Sequence, residues 1–378
     1  MISGILKSII RSVAPLFRLL PQNIIIFESI PDCSDNSKAV YDEMIKRGLN
    51  SMYKMIWVYC QKKHSTPIFN THFITINQRF LFLYYTLRAK CIVSCNNYIE
   101  SWGGYQKALY LTHGVALKSM NTFMAPKHID YITGLSDEAN KIMSDAIKLP
   151  LNKFIVTGYP RNDDLIAKTD FSIHKFFNGK FRKIIVWYPT FRQHIGANNN
   201  KGDVQPLPII HNQEDAVEVN SYAEKNNILI ILKPHFSQDL SYIKNIKLSN
   251  ILFINDDFFV KNNITSYEFV GSCDALITDY SSIYFDYLLC NKPVAAIWED
   301  IEEYKKNRGF GIDVDFYMKG AFKVYNLIDF LDFLKEVSEG KDSQKVDREE
   351  MNRLTNKYHD SKSAERVVDF VIHNILNK

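Results

Sequence analysis

A chain of 378 residues is too long for one ordinary hydrophobic core and therefore predicts two domains. Its 46% apolar and 23% charged residues exclude a disordered chain. A net charge of only +4 predicts no nucleic-acid partner, because such binders usually carry a clustered basic face. The cysteines lie in or next to apolar runs without the paired spacing of a zinc site, so we predict buried free thiols in a reducing compartment. They are Cys33, Cys60, Cys91, Cys95, Cys273 and Cys290.

Residues 1–22 predict an amphipathic helix. At 100° per residue, Lys7, Arg11 and Arg18 fall within about 40° of one another and the apolar residues cluster opposite. The segment has no acidic residue and no apolar span long enough for a transmembrane helix. We predict a helix in the plane of an anionic membrane surface, kinked at Pro15; the alternative is an amphipathic helix that packs on the domain.

Residues 23–178 predict the first domain, in which apolar strands alternate with helices. Apolar strands of this kind are typical of a mostly parallel sheet that is covered on both faces. The predicted strands are Ile24–Glu28, Met55–Tyr59, His72–Thr75, Cys91–Cys95, Leu109–Thr112, Tyr131–Gly134 and Phe154–Thr157. The predicted helices are Lys38–Gly48, Phe80–Ala89 and one that opens at Ser136.

Residues 179–345 repeat the alternation and predict a second α/β domain, after a polar linker at about residues 168–182. Its predicted strands are Ile184–Tyr188, Ile228–Lys233, Leu252–Asn255, Ala275–Thr278 and Val294–Ile297. The stretch 193–213 is rich in Asn, Gly and Pro and predicts a mobile loop, and residues 346–378 predict C-terminal helices. We expect two α/β domains with a cleft between them, and ligands outside the carboxyl ends of the strands.

Polar residues follow several predicted strands directly, where such ligands would bind. His113 follows Leu109–Thr112, and Arg192 and His235 follow two strands of the second domain. Residues 279–282 connect the strand Ala275–Thr278 to a helix, whose first N–H groups and partial positive charge could hold a phosphate. A plain capped helix is the alternative for this stretch.

Several motifs occur in the order typical of a known family. They are Phe-Glu-Ser and Ser-Asp-Asn-Ser-Lys (27–38), Thr-His-Gly-Val-Ala-Leu-Lys (112–118), Thr-Gly-Tyr-Pro-Arg-Asn-Asp (157–163), Tyr-Pro-Thr-Phe-Arg (188–192), Lys-Pro-His (233–235), Ile-Thr-Asp-Tyr-Ser-Ser-Ile-Tyr-Phe-Asp (277–286), and Glu-Tyr with Arg-Gly-Phe (303–310). Over about residues 23–311 the chain resembles the CDP-glycerol glycerophosphotransferase family, the teichoic acid primases and polymerases. It departs at Val115, Ala116 and Phe236, next to the histidines, which puts donor or acceptor preference in question rather than the reaction.

The resemblance implies a GT-B architecture, with two Rossmann-like domains facing across a cleft. The implied reaction moves glycerol phosphate from CDP-glycerol to a hydroxyl of a lipid-linked glycan or polyol-phosphate acceptor and releases CMP, in teichoic acid or capsule-type synthesis. The implied place is the cytoplasmic face of the cell membrane, on an anionic surface. The sequence does not decide whether the protein forms a homo-oligomer. It also does not decide whether the protein adds a single glycerol phosphate or polymerises it.

The family motifs imply a role for each matching residue. His113 is the expected general base and His235 the second catalytic residue, since a histidine exchanges protons near neutral pH. The expected donor-binding residues are Lys233, Arg192, Asp279, Ser281 and Ser282. The expected acceptor-side residues are Gly114, Lys118 and Arg161. No metal and no cofactor is predicted, with a divalent cation at the diphosphate left open.

Two other functions fit the same residues. One is a GT-B glycosyltransferase or polyol-phosphate transferase with another donor, such as CDP-ribitol or a nucleotide sugar. The other is a catalytically silent member that binds glycan only.

Overall fold

The computed structural model describes residues 4–20, 23–59, 69–120, 123–190, 207–234, 240–243 and 246–377. The chain forms two compact units. The first contains Met1–His113, Thr122–Asp163 and Lys357–Lys378, and the second contains Gly114–Asn121 and Asp164–Asn356.

The first unit contains a seven-stranded sheet in the order β3-β2-β1-β4-β5-β6-β7, with every adjacent pair parallel. Its strands are β1 (Ile24–Glu28), β2 (Lys54–Tyr59), β3 (Thr71–Thr75), β4 (Ala89–Ser94), β5 (Lys107–Tyr110), β6 (Tyr131–Gly134) and β7 (Phe154–Val156). The direction of winding reverses between β1 and β4, which makes the carboxyl ends of these two strands the switch point where α/β sheets bind ligands.

The second unit contains a six-stranded parallel sheet in the order β10-β9-β8-β11-β12-β13. Its strands are β8 (Lys183–Trp187), β9 (Ile228–Leu232), β10 (Ile251–Phe253), β11 (Ala275–Thr278), β12 (Val294–Ile297) and β13 (Phe322–Val324). Its switch point lies between β8 and β11. The predicted pair of parallel-sheet α/β domains is confirmed, whereas β13 was not predicted because it is a three-residue edge strand with a lysine at its centre.

The helices connect these strands and cover the sheets. In chain order they are α1 (Gly4–Val13), α2 (Asp35–Lys46), α3 (Arg79–Arg88), α4 (Asp137–Ile147), α5 (Asp163–Ile166), α6 (Ile173–Phe176), α7 (Gln213–Lys225), α8 (Asp256–Asn262), α9 (Ser266–Ser272), α10 (Ile283–Tyr287), α11 (Ile301–Asn307), α12 (Val314–Tyr317), α13 (Leu327–Glu339), α14 (Lys345–Thr355) and α15 (Ser363–Val371). Side-chain caps from Ser136 on α4 and Asn326 on α13 show why these helices begin where they do.

The stretch 164–182, which the sequence placed partly with the first domain and partly in a linker, packs in the second unit. The backbone N–H of Ile173 donates to Ser272 Oγ at 2.8 Å, and the ring of Phe171 lies 6.3 Å from that of Phe269. Leu165 packs so closely on Gly271 that a Cβ at this glycine would lie 2.2 Å from the Leu165 carbonyl oxygen.

The C-terminal helix α15 belongs to the first unit, although it follows the whole of the second unit in sequence. Val367, Val368 and Val371 are fully buried and share one core cluster with Ile25 and Phe27 of β1. Helix α15 therefore contributes to the core of the first sheet.

The start of α15 is fixed by a carboxylate from the preceding part of the first unit. Asp163 accepts hydrogen bonds from the backbone N–H groups of Ser363 at 2.8 Å and Ala364 at 2.9 Å. These are orphan donors of the first helical turn. Burial raises the pKa of Asp163 to about 6.

The N-terminal helix packs on the first unit through its basic side. Lys7 and Arg11 form ion pairs with Glu100 at 2.6 and 3.1 Å, and Arg11 also donates to the carbonyl oxygen of Ser101 at 2.6 Å. After Val13 the α-helix changes to a 3₁₀ helix, Ala14–Leu19, with Pro15 in its first turn. The predicted pairing of Lys7 and Arg11 with an anionic membrane is thus replaced, in this structure, by pairing within the protein.

Candidate functional site

Asp279 lies at the switch point of the second unit, where its carboxylate accepts hydrogen bonds from the segment that follows β8. This residue directly follows β11 and is fully buried. Its Oδ2 accepts the backbone N–H of Thr190 at 2.7 Å, and its Oδ1 accepts the Thr190 hydroxyl. The Thr278 hydroxyl donates to the carbonyl oxygen of Tyr188 at 3.1 Å. Asp279 thus holds together the two chain segments that leave β8 and β11.

Ser281 and Ser282 lie on the loop that leads from Asp279 into α10. Both are partly exposed, and the Ser282 side chain makes no capping hydrogen bond to the helix. The carbonyl oxygens of Ser281 and Ser282 accept from Tyr284 N at 3.2 Å and Phe285 N at 3.0 Å. The Ser282 hydroxyl is therefore not what starts this helix.

Lys233 follows β9, the strand beside β8. Its backbone N–H donates to the Trp187 carbonyl oxygen at 3.0 Å. Its ammonium group lies 3.1 Å from Asp256 Oδ1 and 5.6 Å from the centre of the Tyr188 ring. Asp256 is well exposed, so this ion pair is a weak surface contact that a phosphate could displace.

Tyr280 anchors an aromatic cluster next to the predicted donor residues. Its hydroxyl donates to Asp300 Oδ1 at 2.9 Å, and its ring centre lies 4.3 Å from that of Tyr304 and 5.3 Å from that of Phe310. Phe310 in turn pairs through its backbone with Lys118. The sequence predicted Lys118 on the acceptor side, and the structure groups it with the second unit.

Two predicted residues of the second domain, Arg192 and His235, lie outside the described residues. Their proposed contacts with the donor stay predictions. The prediction of no metal assumed that the chain has no Asp-x-Asp pair, which is wrong, because Asp313 and Asp315 form one and carboxylates are common metal ligands. Asp313 caps α12 by accepting from Phe316 N at 3.1 Å, and Asp315 pairs with Lys305 at 3.4 Å. Within the described ranges, no group of three or more His, Cys, Asp or Glu side chains is placed to hold a metal ion.

In the first unit, His113 is exposed and follows β5 by three residues. Its Nδ1 atom lies 3.4 Å from the carbonyl oxygen of Cys95 and 3.4 Å from the hydroxyl of Tyr110. Both distances are at the long end for hydrogen bonds. These two contacts orient the imidazole ring through its Nδ1 atom.

The main chain at His113 is held by two side chains of the first unit. Asn36 Nδ2 donates to the Thr112 carbonyl oxygen at 3.0 Å, and Arg161 Nη2 donates to the His113 carbonyl oxygen at 2.9 Å. Arg161 is buried, and its Nη1 donates to both carboxylate oxygens of Asp35 at 3.0 and 3.1 Å. The structure thus brings the predicted residues His113 and Arg161 together, with Arg161 directed at protein groups.

Three residues around this site were not among the site residues predicted from the sequence: Glu28, Asp35 and Asn36. Asp35 and Asn36 lie in the stretch Ser-Asp-Asn-Ser, whose residue types predict a helix cap. Glu28 lies in the Phe-Glu-Ser motif, and its carboxylate binds the loop that follows β4. The signal that could have identified them is their place at the end of β1 or shortly after it, since β1 borders the switch point of its sheet.

A family model for CDP-glycerol:poly(glycerophosphate) glycerophosphotransferases matches residues 11–373. A teichoic acid glycerol-phosphate transferase from Staphylococcus aureus is 26% identical over 382 residues, which cover 90% of this chain and 91% of the relative. A teichoic acid poly(ribitol-phosphate) polymerase from Bacillus spizizenii is 24% identical over 384 residues, which cover 94% of this chain and 58% of the relative. These matches confirm the resemblance seen in the motifs and the predicted class of enzyme.

The fold is also similar to a solved one. The structure of the wall teichoic acid polymerase TagF superposes with a TM-score of 0.74 at 20% identity, covering 98% of this chain and 94% of that one. At this level of identity the likeness supports the fold alone.

Proposed function

Because the chain belongs to the CDP-glycerol:poly(glycerophosphate) glycerophosphotransferase family, we propose that it transfers glycerol phosphate from CDP-glycerol to a hydroxyl of a lipid-linked glycan or polyol-phosphate acceptor. CMP is the leaving group. The family match over residues 11–373 and the relative named as a teichoic acid glycerol-phosphate transferase support this proposal.

We assign the acceptor to the first unit and the donor to the second. That the two units face each other across a cleft, as in GT-B enzymes, remains a prediction from the sequence. In the second unit, Lys233, Ser281 and Ser282 surround the carboxyl ends of β9 and β11, where a cation and two hydroxyl groups suit a diphosphate.

The observation that carries the proposal is the setting of His113, an exposed imidazole that contacts a carbonyl oxygen through Nδ1. In the proposed step His113 takes the proton of the acceptor hydroxyl through Nε2. The hydroxyl oxygen forms a bond to the phosphorus that carries glycerol. The bond between that phosphorus and the bridging oxygen breaks, and CMP leaves with the bridging oxygen and its electron pair. Positive groups near the diphosphate stabilise the developing charge.

The test is CMP release by the purified protein with CDP-glycerol and a lipid-disaccharide acceptor analogue. We expect His113→Ala to lower kcat by about 100-fold or more, the usual contribution of a general base. His373→Ala is the matched control, since His373 is exposed in the same unit and its Nδ1 lies 2.7 Å from the Asp369 carbonyl oxygen, one helical turn earlier. No CMP release by the wild type, or equal rates for His113→Ala and wild type, would refute the proposal.

A ribitol donor is the second candidate, favoured by the match to a poly(ribitol-phosphate) polymerase over 94% of this chain. Parallel assays with CDP-ribitol and nucleotide sugars, read by CMP or UMP release, decide between the donors. Release with none of them, together with retained glycan binding, would identify a catalytically silent member instead.

We also propose that the first unit docks on the cytoplasmic face of the membrane through an exposed apolar patch. The described residues contain no helix long and apolar enough to cross a membrane. The patch comprises Ile9, Val13, Leu16, Leu19 and Leu20 of the N-terminal segment with Phe80, Leu81 and Tyr84 of α3. The two segments are neighbours, because Phe17 shares a core cluster with Leu83 and Leu87.

The exposed fractions support an interfacial role for this patch. Leu16 is 66%, Leu19 85% and Phe80 92% exposed, which is unusual for so many large apolar side chains in one place. Arg18 and Arg79 are exposed nearby and suit an anionic lipid surface. The apolar residues face outward, as a helix on a membrane surface requires, but Lys7 and Arg11 differ from the sequence prediction because they pair with Glu100 instead of lipid.

A further inference from the structure

Glu28 is a fully buried carboxylate at the carboxyl end of β1, at the switch point of the first sheet. Its Oε2 accepts the backbone N–H groups of Cys95 at 3.2 Å, Asn96 at 3.3 Å and Asn97 at 3.0 Å. Its Oε1 accepts Asn97 Nδ2 at 2.8 Å. One side chain therefore binds three consecutive residues of the loop that follows β4.

Burying a carboxylate costs free energy, and here burial raises the pKa of Glu28. The pairing of β1 with β2 and β4 does not use this carboxylate, because it joins backbone groups. The Cys95 N–H also donates to the Glu28 carbonyl oxygen at 3.2 Å, so the carboxylate adds a second acceptor for Cys95 and supplies the acceptors that hold the N–H groups of Asn96 and Asn97.

The loop that Glu28 fixes carries a hydrogen-bond partner of His113. The Cys95 carbonyl oxygen lies 3.4 Å from His113 Nδ1. A carbonyl oxygen only accepts hydrogen bonds, so this contact requires the proton on Nδ1 and, in the neutral ring, leaves Nε2 unprotonated. The Tyr110 hydroxyl, also 3.4 Å from Nδ1, can donate or accept and by itself selects neither tautomer.

We propose that Glu28 is a positioning residue for His113: its carboxylate fixes the Cys95 carbonyl, which accepts the Nδ1 proton and keeps Nε2 able to take a proton. This inference deepens the proposed function and rests on it for the role of His113. Glu28 does not contact the substrate in this scheme; it acts through the loop Cys95–Asn97.

The direct test is the tautomer of His113, read from the ¹⁵N chemical shifts of labelled imidazole at a pH where the ring is neutral. We expect the Nδ1-protonated form in the wild-type protein and a measurable shift toward the Nε2-protonated form in Glu28→Gln. Glutamine has the size of glutamate but offers one acceptor oxygen in place of two, so it anchors the loop only in part. Glu28→Ala removes both acceptors, and we expect a larger shift if it folds.

The kinetic test uses the same variants. We expect Glu28→Gln to lower kcat about 10- to 100-fold, the range for partners that orient histidines in metal sites, with less than a threefold change in the KM for CDP-glycerol. In a His113→Ala background, Glu28→Gln should cost nothing further, because the two residues act as one unit. Glu43→Gln is the matched control, a buried carboxylate of the same unit that pairs with Lys46 and Arg47 instead.

The tautomer measurement and the kinetic measurement together separate the failure of this inference from the failure of the proposed function. An unchanged His113 tautomer in folded Glu28→Gln would overturn the positioning role. So would a Tyr110→Phe variant that moves the tautomer while Glu28→Gln does not. Absence of CMP release by the wild type would instead reject the proposed function, and the tautomer measurement would still decide whether Glu28 orients the ring.

Discussion

Thr112 has a left-handed backbone conformation, with φ of 54°, although it is β-branched and fully buried. Such a residue persists only where its surroundings determine it, and strained residues of this kind cluster at functional sites. Here Asn36 and the Cys95 thiol both donate to the Thr112 carbonyl oxygen, at 3.0 and 2.9 Å. This conformation occurs at the residue just before His113, which lies three residues beyond the end of β5, where the chain has left the strand and the imidazole is exposed.

At the same scale, the hydroxyl groups of Ser281 and Ser282 give a prediction for donor binding. We expect the double change Ser281→Ala and Ser282→Ala to weaken CDP-glycerol binding about tenfold or more, because a hydrogen bond to a charged group contributes roughly 1.5–3 kcal/mol. The fold should be unaffected, since the Ser282 side chain makes no cap. Calorimetric titration with CDP-glycerol measures the affinity. Ser338→Ala on α13 is the control, and unchanged affinity in the double variant would leave this stretch as a helix start only.

Individual site residues could be predicted from the sequence only where a motif and a strand end coincide. His113 and Asp279 satisfy both conditions. Glu28 satisfies them too, but its proposed function lies in accepting the backbone N–H groups of three residues that are 67, 68 and 69 positions away in the sequence. No local pattern encodes that partnership, because any residue contributes a backbone N–H.

At the scale of elements, the N-terminal segment shows why a helical pattern alone does not identify the outward face. The sequence predicts separate basic and apolar sides, and both exist. Glu100 of the first unit decides their orientation by pairing with Lys7 and Arg11. Ile10 and Ala14 then pack on Leu87 and Trp102, and the remaining apolar residues stay exposed.

This orientation predicts how the protein binds membranes. We expect the double change Leu16→Asp and Leu19→Asp to reduce co-flotation with phosphatidylglycerol vesicles at least tenfold, because each buried leucine side chain contributes about 1.5–3 kcal/mol. The fold should tolerate both changes, since both side chains are exposed. Leu151→Asp, at another exposed leucine of the same unit, is the matched control. Equal flotation of the double variant and the wild type would argue against the patch.

The strands were the elements most accurately predicted, since β1, β6, β11 and β12 have the predicted bounds. Their apolar runs are short and bounded by polar residues, as expected for buried parallel strands. Helix ends were also close where a capping residue marks the start, as at Ser136. Short helices such as α8 and α9 were not predicted, because a single turn or two leaves little periodicity to recognise.

At the scale of the whole molecule, the chain returns to its first unit after completing the second. Ile375 is 2% exposed and belongs to the same core cluster as Ile25 and Phe27. We expect Ile375→Ala to lower the free energy of unfolding of the first unit by about 2–5 kcal/mol, the usual cost of removing a large buried side chain. The control is Ile328→Ala, at an isoleucine that is 72% exposed on α13 of the second unit. It should change the free energy of unfolding of that unit by less than about 0.5 kcal/mol.

Hydrogen exchange of the two units, followed separately, measures this effect. Protection should fall in β1 and β4 of the first sheet and remain unchanged in β8 and β11 of the second. Equal losses in both sheets, or no loss in the first, would show that the segment after α15, which contains Ile375, does not support the first core.

The sequence by itself determined the class of this protein, because apolar strands, helix periodicity and strand-end motifs are local patterns that survive in one dimension. It determined the parallel sheets and membership in the glycerophosphotransferase family, whereas His113 as base and the stretch around Asp279 as donor site stay predictions. Only the tertiary structure decided which segments share a core and which side of the N-terminal helix faces outward. It also decided that Arg161 holds the His113 carbonyl, that Asn36 holds the Thr112 carbonyl and that Glu28 holds the loop of Cys95, because hydrogen bonds and burial join residues that are distant in the chain.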